Sequence, residues 1–172
     1  MLFRSAVSLE HKLGIHGCAT CVMNYDAAEG YLVGQPNQGL ACMFTMMNDA
    51  RISVGNESVA IAERSYQQAL AYAKDRIQGT THDGGKRVSI IHHPDVRRML
   101  LTMKSQIEVM RAIVYSTAAE LDYSRKSEST EDQKRHGDRV DLMTPIVKGW
   151  CSEVCQELTS IGLQIHGGMG YI

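Results

Sequence analysis

The sequence predicts a mainly α-helical protein, in which an antiparallel bundle of long helices follows a few β-strands. Two observations predict this class. From Leu40 onward, apolar residues recur at intervals of three and four, which is the spacing of one helix face. Aromatic residues make up 6% of the 172 residues while methionine occurs ten times, a composition that suits packed helices better than aromatic-rich strands.

Residues 1–38 hold the strand-like part of the chain. Residues 22–26 alternate weakly between apolar and polar, and residues 31–33 form a short β-prone run between two turn clusters. Because two or three strands alone make a marginal sheet, we interpret them as the end of a β-domain whose remainder lies elsewhere. The predicted organisation is therefore residues 1–38 as the end of a β-domain and residues 39–172 as the helical domain.

The first two helices are separated by a polar loop. The first helix is expected over residues 40–76, a length of about 55 Å at the helical rise per residue. Residues 80–86 are polar and contain two glycines, which predicts the loop. The second helix is expected to begin at His93-Pro94, because a proline in the first turn loses no hydrogen bond.

The third helix is expected to run from about Asp138 to Ile165. Pro145 lies inside this pattern and predicts either a kink or a later start. The charged residues 124–137 before it are predicted to be a loop or a frayed helix end. The predicted inward side chains are Val96, Met99, Leu100, Met103, Ile107, Met110 and Val114 of the second helix and Leu142, Ile146, Val147, Trp150, Val154, Leu158 and Ile161 of the third.

Charge and composition argue against several classes of protein. Eighteen basic and nineteen acidic residues give a formal net charge of −1, which leaves no electrostatic case for nucleic-acid binding. No apolar run approaches the roughly 18 residues that a membrane span needs. Residues 1–5 are followed by no long apolar core, so we expect no export signal and a cytoplasmic location. Five cysteines, an odd number, then indicate reduced thiols rather than a disulfide framework.

The cysteines raise the question of a metal site. Cys18 and Cys21 have the spacing of a zinc knuckle with His16 nearby, and Cys151 and Cys155 are one helical turn apart. A structural zinc site usually pairs two knuckles on turns, whereas Cys151 and Cys155 fall near the apolar stripe of a helix. We therefore favour small buried thiols and predict no metal site.

The glycine-rich segment 164–171 has two readings from its residues alone. Glycines allow a backbone to approach a ligand and to present N–H groups to an anion, but they also cap helices. Arg51 and Arg76, taken singly, are interpreted as solvated or ion-paired residues of the first helix, and His166 as a turn residue. No Ser-His-Asp set or pair of carboxylates can be assembled from the sequence.

Taken in order, these segments resemble the acyl-CoA dehydrogenase family. The resemblance lies in Asp49-Ala50-Arg51, Arg76-Ile77-Gln78-Gly79, the helix opened by His93-Pro94, and the closing Gln164-Ile165-His166-Gly167-Gly168-Met169-Gly170-Tyr171. Residues 10–17 resemble the last strand motif of the family's middle β-domain. The resemblance covers almost the whole chain, and the combination in this order is specific.

Within the family, four segments resemble the 3-methylmercaptopropionyl-CoA dehydrogenase type: residues 43–48, 72–79, 93–101 and 142–148. The resemblance implies an FAD enzyme that oxidises an acyl-CoA thioester to the 2,3-enoyl-CoA. It also implies a homodimer or tetramer in which the C-terminal helices contact FAD across the subunit interface. An electron-transfer protein is the implied acceptor, since the reduced flavin must be reoxidised.

The resemblance also implies roles for particular residues. The implied cofactor-binding residues are Arg76, Gln78, His93, Gln164, Gly167 and Gly168, with Arg76 facing the FAD pyrophosphate. The implied substrate-binding residues are Met47, Asn48 and Arg51, with Asn48 where many members have Asp.

No catalytic base is assigned to this chain. The glutamate usual in this type is expected beyond Ile172, and some members place a base just before the arginine that matches Arg51, where this chain has Ala50. We therefore expect the polypeptide by itself to be inactive, as one part of an acyl-CoA dehydrogenase. The alternatives are a non-catalytic helical module that self-associates and a small thiol-metal protein.

Overall fold

A computed structural model describes residues 4–81 and 83–172 of the chain and divides it into two compact units, residues 1–42 and residues 43–172. The expectation of no export signal rests partly on Met1–Phe3, which lie outside the described residues, as does His82 of the predicted polar loop.

The first unit contains an antiparallel hairpin. Strand β1 (Arg4–Leu9) pairs with β2 (Cys21–Tyr25), and the register shifts between Ala6 and Ser8. Both strands are exposed along their whole length, as expected for strands that lack a covering layer. The prediction of a strand over residues 31–33 is wrong: this run is irregular, and no strand of the described chain pairs with it. Residues 10–17, predicted from the resemblance as a strand, are the connection of the hairpin.

Three long helices, the first of them from residue 43 onward, form most of the second unit. They are α1 (Gly39–Asp75), α2 (Pro94–Lys126) and α3 (Thr130–His166), and a short α4 (Gly168–Tyr171) follows. An ion pair joins Glu63 of α1 to Arg111 of α2, and the ring of Tyr72 in α1 lies against that of His166 in α3. Gly55 also lies against Val147, so α1 runs parallel to α3. Met103 of α2 lies near Gly162 of α3 and Glu120 of α2 pairs with His136, so α2 runs antiparallel to α3 and therefore also to α1. The predicted class, a mainly helical antiparallel bundle after a few strands, is confirmed.

The core of the bundle combines aliphatic, methionine and cysteine side chains, as the low aromatic content predicted. Met103, Met110 and Cys151 are completely buried. The predicted inward face of α2 is confirmed, since its seven residues are buried or packed against the core. α2 also begins with Pro94 in its first turn, as expected.

A β-hairpin, missed by the sequence analysis, connects α1 to α2. β3 (Ile77–Thr80) pairs with β4 (Arg87–Ser89), and the 3-10 turn Ile90–His92 leads into α2. The backbone N–H of Ile90 donates to the carbonyl of Arg76 over 2.8 Å. The polar loop predicted over residues 80–86 is thus mainly the tip of this hairpin. Strands of three and four residues carry too little periodicity to be recognised in a sequence.

The predicted start of α3 near Asp138 is wrong by eight residues, because the charged residues 130–137 are helical. The hydroxyl of Ser129 caps the helix by accepting from the N–H of Asp132. Opposite charges at helical spacing follow, with Arg135 paired to Asp132 and Lys134 paired to Asp138. Such pairs stabilise an exposed helix that lacks an apolar stripe.

Pro145 neither delays nor interrupts α3, so the prediction of a later start there is also wrong. The hydroxyl of Thr144 donates to the carbonyl of Val140 over 2.7 Å in the turn that contains the proline. Leu142 and Ile146 were predicted to point inward but are 65% and 43% exposed. The inward positions of this turn belong to Val140, Thr144 and Val147. Among the helices of the described residues, none combines the length and apolar character of a membrane-crossing segment.

Candidate functional site

The parallel arrangement of α1 and α3 brings their C-terminal ends to the same end of the bundle. The ring of Tyr72 near the end of α1 and the ring of His166, the last residue of α3, have centroids 4.7 Å apart. A cavity of about 350 Å³ opens beside these rings. Its walls include Arg76 and Gln78, which follow α1, and Gly167 and Gly168, which follow α3. Four residues that the resemblance implied in cofactor binding therefore share one cavity.

Arg76 has a fixed backbone and an exposed side chain. Its N–H donates to the carbonyl of Tyr72 over 2.8 Å, which closes the last turn of α1, and its carbonyl accepts from Ile90. No ion pair to the Arg76 guanidinium occurs among the residues that the structure describes. An anchored cation without a carboxylate partner at the mouth of a cavity suits an anionic ligand.

Gly167 both ends α3 and lines the cavity, so the capping interpretation of the glycine segment is confirmed and its interpretation as an anion contact stays a prediction. Its φ of 58° and ψ of −139° lie in a region that only glycine adopts easily. Its N–H donates to the carbonyl of Gln164 over 3.0 Å, which caps the helix. A Cβ added at Gly168 would meet nothing within 4 Å, so the backbone there is open to a ligand.

The other two implied cofactor residues are next to the cavity rather than on its wall. The Nε2 atom of His93 donates to the backbone carbonyl of Gln78 over 2.7 Å. The amide oxygen of Gln164 accepts from the hydroxyl of Tyr171 over 3.1 Å. His93 therefore braces the strand that carries Gln78, and Gln164 braces the turn that carries Gly167 and Gly168.

The implied substrate residues form a separate group on the first half of α1. The Nη1 atom of Arg51 donates to the side-chain oxygen of Asn48 over 3.1 Å, and its guanidinium lies 5.6 Å from the ring centroid of Phe44. Met47 is on the same helix. Arg51 and Arg76 are separated by about 37 Å along α1 at the helical rise per residue. The structure does not bring the substrate residues to the cavity within one chain.

Two residues of the cavity were not assigned to the site from the sequence. Tyr72 lies one helical turn before Arg76, and His166 directly precedes Gly167. Both residues lie in segments that carry the family resemblance, but no ligand role was assigned to either, and His166 was interpreted as a turn residue. Their contact depends on how α1 packs against α3, and a local sequence pattern does not predict that packing.

The cysteines occupy different units. Cys151 and Cys155 are buried in the bundle core, and burial raises the pKa of both thiols. Cys18 and Cys21 are exposed in the first unit. Within the described residues, no group of three or more His, Cys, Asp or Glu side chains is placed to hold a metal ion.

The comparison with protein families decides the affiliation. Residues 37–172 match the profile described as acyl-CoA dehydrogenase, C-terminal domain. This chain belongs to the acyl-CoA dehydrogenase family. The affiliation that the sequence motifs predicted is confirmed.

Individual members of the family agree with this. The 3-methylmercaptopropionyl-CoA dehydrogenase of Ruegeria pomeroyi is 51% identical over 96% of this chain. CarC, a subunit of the caffeyl-CoA reductase-Etf complex of Acetobacterium woodii, is 28% identical over 95% of it. The solved butyryl-CoA dehydrogenase of Megasphaera elsdenii superimposes on 99% of the chain with a TM-score of 0.80 and 25% identity. The chain covers 28%, 38% and 40% of the lengths of these three proteins.

Proposed function

We propose that this chain is the flavin-contacting helical part of an acyl-CoA dehydrogenase, and that the cavity at the end of α1 and α3 receives the diphosphate of FAD. One observation carries the proposal: Arg76 and Gln78 on one side and Gly167 and Gly168 on the other line the same cavity, although they are far apart in the sequence.

The residues of the cavity fit a diphosphate diester. The guanidinium of Arg76 supplies a permanent positive charge with several donors in a plane, which matches phosphate oxygens. Gly167 and Gly168 present backbone without side chains, so an anion can approach closely. The N–H group that faces it is that of Gly168, because the N–H of Gly167 caps α3. The carboxamide of Gln78 adds a neutral donor on the same wall.

The proposed reaction of the assembled enzyme is oxidation of an acyl-CoA to its 2,3-enoyl-CoA, in which bound FAD supplies the hydride-accepting chemistry. In this chain Arg76 holds the cofactor, while Met47, Asn48 and Arg51 contact the acyl-CoA. Ala50 has no group that takes a proton, so none of these side chains is assigned as the base. The 51% identity to the Ruegeria pomeroyi enzyme makes 3-methylmercaptopropionyl-CoA the first substrate to test.

The distance between the implied substrate residues around Arg51 and the cavity residue Arg76 supports a role for a second copy of the chain. Because Arg51 and Arg76 lie about 37 Å apart, one chain serves two different ligand positions. We infer that Arg51 contacts an acyl-CoA near one flavin while Arg76 contacts the diphosphate of a neighbouring subunit's flavin. We also infer an electron-transfer flavoprotein as the acceptor, in line with the name of the CarC complex.

The experiment is a titration of the ¹⁵N-labelled chain with FAD, in which the amide chemical shifts are measured by NMR at each FAD concentration. We expect the signals of Gly167, Gly168 and Gln78 to move with FAD and to stay in place with riboflavin, which lacks the diphosphate. R76A abolishes the movement, whereas R64A, which removes an exposed arginine elsewhere on α1, leaves it intact. Movement that is equal in R76A and R64A, or absent with FAD, contradicts the proposal and favours a helical module without a redox role.

A further inference from the structure

His166 is a titratable residue on the cavity wall to which neither the sequence motifs nor the proposed function gives a role. Its ring is half-buried between α3 and α1 and is held from two sides. The Nδ1 atom lies 2.8 Å from the carbonyl oxygen of Gly162, one turn earlier in α3. The ring also lies against that of Tyr72.

The contact with Gly162 fixes which ring nitrogen carries a proton. A carbonyl oxygen only accepts, so Nδ1 must donate and carries hydrogen in both the neutral and the charged ring. In the neutral ring Nε2 is then an acceptor, and in the imidazolium it is a donor. Among the described residues, Nε2 has no hydrogen-bond partner from the protein. Protonation at Nε2 therefore converts this edge of the ring from one that repels phosphate oxygens to one that binds them.

We propose that His166 is a proton-dependent phosphate contact of the cavity, so that the protonated ring and Arg76 together bind the diphosphate and binding is accompanied by proton uptake at His166. This inference rests on the proposed function and adds a pH dependence to it. A diphosphate diester such as FAD keeps two negative charges through the physiological pH range, so the dependence comes from the protein.

The groups around His166 act in opposite directions on its charge. Asp75, at the end of α1, lines a shallow depression next to His166, and its carboxylate favours the imidazolium. Arg76 on the cavity wall disfavours it. Tyr72 and Ile172 of the same wall contribute an aromatic ring and an apolar side chain. A diphosphate placed against Arg76 offsets the repulsion that the guanidinium exerts, which favours proton uptake when the ligand binds.

The test compares the wild type with H166N by calorimetric titration with FAD. Asparagine places its amide nitrogen near the position of Nδ1, so it retains the bond to Gly162 and removes Nε2. We expect wild-type affinity for FAD to fall about three- to tenfold between about pH 5.5 and pH 8, because the imidazolium contact is lost as the pH rises. We expect H166N to bind at both pH values with the lower affinity. Titration in buffers of different ionisation enthalpy should show proton uptake by the wild type and none by H166N.

A second measurement does not depend on the folding of the variant. In the wild type at fixed pH, addition of FAD should increase the protonated fraction of the His166 ring, read from its ¹³C-labelled NMR signal, and riboflavin should not. The ring of His136, on the other half of α3, is the internal control. If the affinity of the wild type for FAD does not depend on pH, or if H166N keeps the same pH dependence, the role of His166 is overturned and the proposed function still stands. No binding of FAD at either pH overturns both.

Discussion

Gly55 of α1 lies directly against Val147 of α3. A Cβ added at Gly55 would overlap Cγ1 of Val147 and would lie 3.4 Å from its carbonyl oxygen. Val147 is completely buried, and its β-branched side chain has few rotamers in a helix. The absence of a side chain at position 55 therefore sets how closely the two parallel helices approach. The same helix pair forms the cavity at its far end.

The first prediction is that G55A destabilises the chain although alanine favours helices. Overpacking of a filled core costs about 1–3 kcal/mol, which exceeds the gain of roughly 0.5–1 kcal/mol from replacing a helical glycine. We expect a lower urea midpoint. The matched control is G149A in α3, where an added Cβ meets nothing within 4 Å, and where we expect a higher midpoint. An increase in stability in both variants would show that the helices separate there without cost.

The second prediction concerns Glu120, which joins α2 to α3. Its Oε2 accepts from Nδ1 of His136 over 2.5 Å, and its Oε1 lies 3.0 Å from Nη1 of Arg139. The hydrogen bond to His136 is the main cause, and the charge of Arg139 a further cause, that lowers the pKa of the Glu120 carboxyl from its ordinary value.

A carboxyl whose pKa is lower in the folded chain stabilises the fold when ionised, and this stabilisation is lost as the pH falls. We therefore expect E120Q to be less stable than the wild type near neutral pH. The difference in unfolding free energy should shrink as the pH falls below about 4.3, the ordinary value for glutamate. E128Q, at an exposed position between α2 and α3, is the control and should follow the wild type throughout. A difference between E120Q and the wild type that stays constant at low pH would contradict this assignment.

The third prediction is that the five cysteines react in two groups. Cys18, Cys21 and Cys42 are exposed, whereas Cys151 and Cys155 are buried with raised thiol pKa values. Because the thiolate is the reactive form, burial protects the second group both sterically and chemically. Iodoacetamide should add three groups to the native chain and five after unfolding in urea, counted by mass spectrometry. Rapid native labelling of Cys151 would show that α3 opens locally.

The helices α1 and α2 could be predicted to within one residue of their observed starts because their ends carry local signals. A glycine- and proline-containing turn precedes α1, and Pro94 lies at the start of α2. The start of α3 could not be predicted, because its first turns are stabilised by the Ser129 cap and by charge pairs and carry no apolar stripe. A run of charged residues has the same sequence pattern whether it forms a loop or an exposed helix.

The site was predictable only in part. Arg76 and Gly167 were assigned through the family resemblance, and their common cavity requires that α1 and α3 run parallel, which depends on non-local packing such as that at Gly55. Tyr72 and His166 lie in the segments that carry the resemblance, but their contact with each other and their place on the cavity wall became visible only in the fold. The role of the cavity in FAD binding stays a prediction.

The fourth prediction separates two roles for His93. The resemblance implies that it is close to the flavin, whereas the structure places its Nε2 in a 2.7 Å hydrogen bond to the carbonyl of Gln78. Strand β3 is exposed and short, and this bond restrains Gln78 on the cavity wall in addition to the pairing of β3 with β4. If His93 acts by positioning, H93A should raise the Kd for FAD by up to about tenfold, the effect of losing one hydrogen bond. Amide exchange in β3 should become faster in the same variant.

The matched variant is H93Q, whose amide nitrogen can occupy the place of Nε2 and donate to the same carbonyl. We expect it to restore both the slow exchange of β3 and the affinity for FAD. If H93Q restores slow exchange but not affinity, the imidazole itself contacts the ligand, and His93 belongs to the cavity wall of the assembled enzyme. Amide exchange in β3 reports the hydrogen bond between His93 and Gln78, whereas the Kd reports the contact with FAD. The two measurements together therefore distinguish a positioning role of His93 from a direct ligand contact.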